Sequence, residues 1–348
     1  MRLGFEHGSA LDIRTVAQLN SSLHGKTNFR LTSISPCSTY SDTLAHMVNS
    51  ERTDYEPLTA ALNVFVSFIS NVSEQARNMQ LEDVAAGKVR EYIDILMDDE
   101  TLSTPYAEGI DVYFPKTFLY LLWAVCYYLF VVTETIMDQE MEGTYDGHLR
   151  SDAFTRRAYD LINYALTLRF RYLPWPYEVI DPNVDAEFAR DVNVIFGYAL
   201  AYVYFHEYAH VTLNHSAVSD AILSKDQERE ADNFALDVVL GTASDDNTRR
   251  NYGIAVGCAG ISMLYCVSDP KNLDSTTHPP VDIRLANSMS YLSIADPKAN
   301  YYLYKLLCVG LVGFCDMYKI PVSTQIYDTI EDQYGDLLER IATRRTST

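Results

Sequence analysis

The sequence has little of what marks nucleic-acid-binding, secreted or membrane-spanning proteins. Basic residues are scarce: 27 Lys+Arg stand against 47 Asp+Glu, a formal net charge of −20, and no Lys/Arg run reverses that balance locally. Such a chain repels a phosphate backbone, so nucleic acid is not an expected partner. Its six cysteines (Cys37, Cys126, Cys258, Cys266, Cys308 and Cys315) include no Cys-x-x-Cys pair. Scattered mostly through apolar runs, they read as reduced, buried thiols rather than a disulfide framework or zinc knuckle. The first ten residues carry Glu6 and His7 and lack an apolar core, so no secretory signal is expected there. Repeats and low-complexity linkers are missing too. These absences point to a cytoplasmic protein.

What is present is enough apolar material for a folded core. Hydrophobic residues are 48% and charged residues 21% of 348, which excludes a disordered or fibrous chain and allows one large domain or two ordinary ones. One long apolar run stands out, Thr117–Thr133, uncharged between Lys116 and Glu134. Its length lies at the lower edge of a membrane span. Glu134, Asp138, Glu140 and Glu142 follow it, and only Lys116 precedes it, so it lacks a basic anchor. The flanks favour a core helix over a span. Tyr252–Val267 and Tyr301–Cys315 read as further buried helices.

The remaining pattern is mixed at first and then helical. Residues 1–50, with alternating stretches such as Asn28–Ile34, read as irregular to strand-like. Apolar residues recur at helical spacing over Leu58–Met79, and Lys88–Met97 reads as a short helix. Asp152–Leu168 is another helix, followed at Arg169–Ile180 by an extended loop or edge strand that holds Pro174 and Pro176. The expected class is mainly α (α+β), with an N-terminal mixed region at 1–110 and a chemistry-bearing domain at 111–348.

Residues 206–210 read His-Glu-Tyr-Ala-His. Positions four apart share a helix face, so His206 and His210 can grip one ion from the same side. Glu207 lies about 100° round, within reach of a water at that ion. Phe188, Val192, Ile195, Ala199 and Val203 precede the histidines at spacings of three and four, which puts both on the core-facing stripe of a helix beginning near Pro182. Two core histidines with no shared partner would be costly there. A second helix, 225–240, opens on Ser224-Lys-Asp-Gln227, a capping-box pattern, and stops at Gly241. On it Glu228, Ala231, Asp232 and Ala235 share one face, while Asp226, Glu230, Asn233 and Asp237 share the solvent face. Glu228 therefore points inward and Glu230 outward. His206, His210 and Glu228 make a two-His, one-carboxylate set with an open fourth position, the donor set of catalytic Zn2+. Asp232, one turn on, can accept the free N–H of a ligand histidine.

His-Glu-x-x-His followed by Glu-x-x-Ala-Asp, with Thr277-His278-Pro279-Pro280 and Arg284 downstream, resembles the gluzincin zinc metallopeptidases, notably the HtpX and CAAX-prenyl-protease family. The resemblance covers about 190–290. It implies a zincin-like metallopeptidase core with an active-site helix, a Glu-bearing second helix and a small β region. It also implies that His278 helps stabilise the transition state and that Arg284 pairs with the ligand Glu228. His215 fits a recurrent feature of these sequences, though by position alone it reads as an exposed helix-end histidine. Without convincing spans, and with only 17 residues between His210 and Glu228, the chain is more similar to soluble Lit-like phage-exclusion peptidases. That resemblance implies a cytoplasmic enzyme acting on a protein or peptide substrate, in phage defence or a stress response. Glu207 is then the general base and His278 the oxyanion donor. Two rival readings are a membrane-associated HtpX-like quality-control protease and a non-catalytic, zinc-stabilised interaction protein. An intact Glu207 weighs against the latter. Oligomeric state is not legible in the sequence.

Overall fold

The computed structural model describes residues 57–346 except 72–73, 91–92, 97–99, 146–148, 150–151, 185–187, 216–220, 242, 244, 268–272, 274–277, 293 and 324. The alternating stretch at Asn28–Ile34, Cys37 and Thr277 lie outside the described residues. The elements run α1 (Thr59–Asn71), α2 (Glu74–Ala85), β1 (Asp94–Leu96), β2 (Tyr106–Glu108), β3 (Asp111–Pro115), α3 (Lys116–Met141) and α4 (Ala153–Thr167). After these come α5 (Ala189–Thr212), α6 (Ala221–Leu240), α7 (Asp246–Cys266), α8 (Val281–Tyr291), α9 (Pro297–Met317) and α10 (Ile330–Thr346). The fold is mainly helical with one small sheet.

Three expectations about elements need correction. The helix expected at 225–240 begins at Ala221, so Ser224 lies inside it and is not its cap. Lys88–Met97 is not a helix: Asp94–Leu96 is a strand paired in parallel with Tyr113–Pro115. The alternation of apolar and polar residues there is satisfied by a neighbouring strand, which overrides a weak local helical pattern. The helix bearing the histidines starts at Ala189, not near Pro182, because Phe188 sits in the left-handed region at φ 70° and interrupts any helix arriving from upstream.

The apolar run became α3, the only helix among the described residues long and apolar enough to cross a membrane, and almost all of it is buried inside the protein. It packs on α4, α5, α7 and α9. Trp123, fully buried, donates its indole N–H to Asn193 Oδ1 on α5 at 2.7 Å, and Asn193 Nδ2 donates to Pro182 O at 3.0 Å. The aromatic segment near Pro174 is part of this core. Trp175 lies edge-on to Tyr120 and Trp123, and its N–H donates to Ile180 O at 2.8 Å.

α5 is buried on nearly every face, not along one stripe, because α1, α3, α6 and α7 surround it and β2 and β3 touch it. Close approach to α1 depends on Gly197, where a Cβ would stand 2.8 Å from Val64 Cγ1 and 3.1 Å from the Phe65 amide nitrogen. The sheet order is β1-β3-β2, which leaves β2 on an edge beside α5.

Candidate metal centre

The last turn and a half of α5 and the middle of α6 face each other. Helical spacing puts the rings of His206 and His210 on one side, with their Nε2 atoms 3.2 Å apart. Glu228 is buried and completes the set, with Oε2 3.5 Å from His206 Nε2 and Oε1 3.4 Å from His210 Nε2. Donor atoms of the three residues all lie within 4.8 Å of one another. Glu228 Oε2 is buried and accepts no hydrogen bond. Such an orphaned oxygen is costly, and three lone pairs converging on one point is the arrangement that a cation relieves. The residues fit a metal ion.

The far sides of these donors are held by charge. His206 Nδ1 lies 3.0 Å from Asp232 Oδ1, as the helical spacing of Asp232 from Glu228 allows. Arg284, on α8, closes its fork on Asp232: Nε donates to Oδ2 at 2.8 Å and Nη2 to Oδ1 at 2.7 Å. Its contact with Glu228 is longer, Nη1 to Oε2 at 3.3 Å. The guanidinium therefore spans both carboxylates but grips Asp232. Tyr202, one turn before His206, also donates to Asp232 Oδ1 at 3.3 Å. His278 stands at the rim, about half exposed, with Nε2 3.3 Å from Glu228 Oε1. The helix that follows it is tied to the C-terminal helix by a buried pair, Arg345 Nη1 to Asp282 Oδ1 at 2.8 Å.

This environment separates the titrations. Burial pushes the Glu207 carboxyl up to about 6, against the nearby His206 charge. Glu228 is held at about 2: burial opposes its charge, but the neighbouring His206 and the charge of Arg284 outweigh it. Asp232 falls well below the carboxylate range despite burial, chiefly through Arg284. Burial works against a charged His206, yet Asp232 and Glu228 raise it to about 9. His210 drops to about 4 through burial and the neighbouring His206. Two buried carboxyls, Glu207 and Glu228, thus sit on opposite sides of the normal value.

Residues 112–305 match the model of a known family, Peptidase U49. The chain belongs to the peptidase U49 family. It is also similar to the cell death peptidase of Escherichia coli strain K12, with 28% identity over 151 residues, 40% of this chain and 47% of that protein. The match thus spans about half the length of that curated relative. No solved structure matches the chain. The family segment runs from β3 into α9 and takes in α5, α6 and α8, the three helices that carry the cluster.

In this U49 chain the cluster opens into a cleft of about 390 Å³. His206, Glu207, His210, Glu228 and His278 line its polar part, and Val256, Ala259 and Met263 from α7 line an apolar part. The fourth side is Thr104–Ala107, the entry to the edge strand β2. Sequence reasoning named none of residues 104–107. A three-residue strand has no periodicity to read, and its place beside α5 comes from sheet pairing alone. His215 is not the exposed helix-end residue its position suggested: its side chain is only 6% exposed and contacts His210.

Proposed function

We propose that the chain is a zinc-dependent endopeptidase that hydrolyses a peptide bond in an intracellular protein. The observation that carries this reading is Glu207, a buried carboxyl raised to about 6 and set in the same cleft as three convergent donors. A purely structural ion needs no proton acceptor beside it. His206, His210 and Glu228 would hold the metal, and two histidines with one carboxylate suit zinc. When bound, that ion supplies Lewis-acid polarisation of the scissile carbonyl and of the attacking water.

The chain's own residues do the rest. Glu207 removes a proton from the attacking water and returns it to the leaving amine nitrogen. His278, half exposed at the rim and 3.3 Å from Glu228, would donate its ring N–H to the developing oxyanion. Arg284 keeps Asp232 and Glu228 ionised, and Asp232 accepts the Nδ1–H of His206, which directs Nε2 into the cleft. An extended substrate segment would pair with β2, the edge strand of the sheet among the described residues, which would align its backbone across the cleft. The resemblance to HtpX-type and Lit-like enzymes agrees with these roles. The burial of α3 within the protein speaks against a membrane-embedded member, and the similarity to a cell death peptidase agrees with a role in a stress response.

The test is Glu207→Gln, nearly isosteric but unable to accept the proton. It should retain about one zinc per chain and wild-type thermal stability, while new protein N-termini in expressing cells fall about 10²–10⁴-fold. Wild-type cleavage by the purified variant would remove Glu207 from the reaction, and with it the observation that carries this reading.

A further inference from the structure

His206 and His210 are equivalent in sequence but are backed by different groups. Behind His206 stands a carboxylate, Asp232. Behind His210 stands another imidazole: His210 Nδ1 is 3.0 Å from His215 Nδ1. On its far side, His215 Nε2 is 3.2 Å from Glu230 Oε2. The His215 side chain is 6% exposed, whereas that of Glu230 is 62% exposed.

The helix terminus creates this contact. Asn214 adopts φ 56°, the left-handed turn that Asn tolerates better than most residues. Its N–H donates to Val211 O at 3.2 Å, and the His215 N–H donates to His210 O at 2.9 Å. Those two bonds define a Schellman terminus, in which the second residue past the cap folds back over the last turn. An apolar pair usually meets there. In this chain two imidazoles meet instead.

Proton placement follows from the donors. A metal-facing His210 Nε2 must present a lone pair, so in a neutral ring the proton sits on Nδ1. That proton points at His215 Nδ1, which must accept it. The His215 proton then sits on Nε2 and is donated to Glu230. The reverse polarity would put the His210 proton on Nε2, between His210 and the other two donors. A carboxylate accepts and cannot donate, so Glu230 selects the first arrangement.

We propose that His215 and Glu230 are positioning residues for the metal, a relay that fixes the tautomer and ring orientation of His210 as Asp232 does for His206. This rests on the three-donor metal reading and is independent of whether the bound ion drives proteolysis. The relay is longer on the His210 side because the solvent-facing position 230 cannot reach His210 directly, and the folded-back His215 spans the gap.

The experiment measures zinc affinity by chelator competition for the full chain and for Glu230→Ala, His215→Ala, the double variant and Asn214→Gly. Ring-nitrogen NMR of the zinc-loaded proteins reads the His210 tautomer. Glu230→Ala alters an exposed side chain and leaves folding intact, so it carries the test if His215→Ala loses stability. Glu230→Ala and His215→Ala should each weaken zinc about 10-fold, at the low end for a lost outer partner. The double variant should weaken it no further than His215→Ala alone, because one chain of bonds is cut twice. Asn214→Gly, which keeps the left-handed turn, should bind as wild type does. Wild-type affinity and an unchanged His210 tautomer in Glu230→Ala overturn the relay, as does full additivity in the double variant. A wild-type chain that binds no zinc overturns the metal reading and this inference together. Zinc binding without cleavage sinks only the peptidase reading.

Discussion

Helices α3 and α5 are the two longest helices among the described residues, both largely buried, and they solve burial in opposite ways. α3 buries aromatic and aliphatic side chains against α4, α5, α7 and α9, and its polar requirement is met by bonds such as Trp123 to Asn193. α5 does the same over its first four turns. Its last turns then bury His206 and Glu207 and partly bury His210, beside Glu228 and Asp232 from α6 and Arg284 from α8. Burial alone therefore says nothing about function. What separates the two helices is whether polar groups are spread singly along the helix, as in α3, or gathered at one end against the carboxylates of a neighbouring helix, as in α5.

The comparison can be broken most decisively at the donors. His206→Ala or Glu228→Ala should abolish stoichiometric zinc binding, measured by metal analysis after gel filtration, because two donors do not make a site. Retained stoichiometry in either would show that the convergence on α5 is not a metal centre. Trp123→Ala is the counterpart on α3. It should lower stability by about 3–5 kcal/mol in denaturant titration, through lost packing and an orphaned Asn193 oxygen, yet leave one zinc per folded chain.

A smaller effect sharpens the role of the balancing charges. Arg284→Ala should weaken zinc about 10–100-fold, and Arg284→Lys should recover only part of this, since an ammonium cannot span Asp232 and Glu228 as the fork does. Full recovery by lysine would mean that charge alone matters there and that the bidentate grip on Asp232 is incidental.

The smallest effect concerns the back of the same turn. Tyr208, inside the His-Glu-Tyr-Ala-His segment, donates to Asp83 on α2 at 2.5 Å, and Lys88 pairs with the same carboxylate at 2.9 Å. Burial opposes the Asp83 charge, but these two partners win and hold its pKa below the ordinary value of 3.8. A depressed carboxylate contributes stability that is present above the unfolded value and lost as pH falls through the folded one. The stability gap between wild type and Asp83→Asn should therefore be about 1 kcal/mol near neutrality and close as pH drops below 3.8. A gap that widened on acidification would reverse the assignment.

Much of this was legible in the amino-acid order, because it depends on geometry repeated within a single helix. A period of 3.6 residues puts His206 above His210 and turns Glu228 and Asp232 inward while Glu230 faces water, whatever the helices pack against. The charge flanking Thr117–Thr133 marked α3 as a core helix for the same kind of reason, since cost and benefit lie within one segment. Other features depend on where loops deliver distant segments, and no local pattern encodes them. Asp94–Leu96 became a strand only because Tyr113–Pro115 lay beside it. Which carboxylate Arg284 grips was decided by how α8 docks on α6. The outward phase of Glu230 was readable, but its contact with His215 was not. That contact exists because a left-handed turn at Asn214 returns the chain over His210 while α6 passes alongside, and only the folded arrangement of both brings the two side chains within a hydrogen bond.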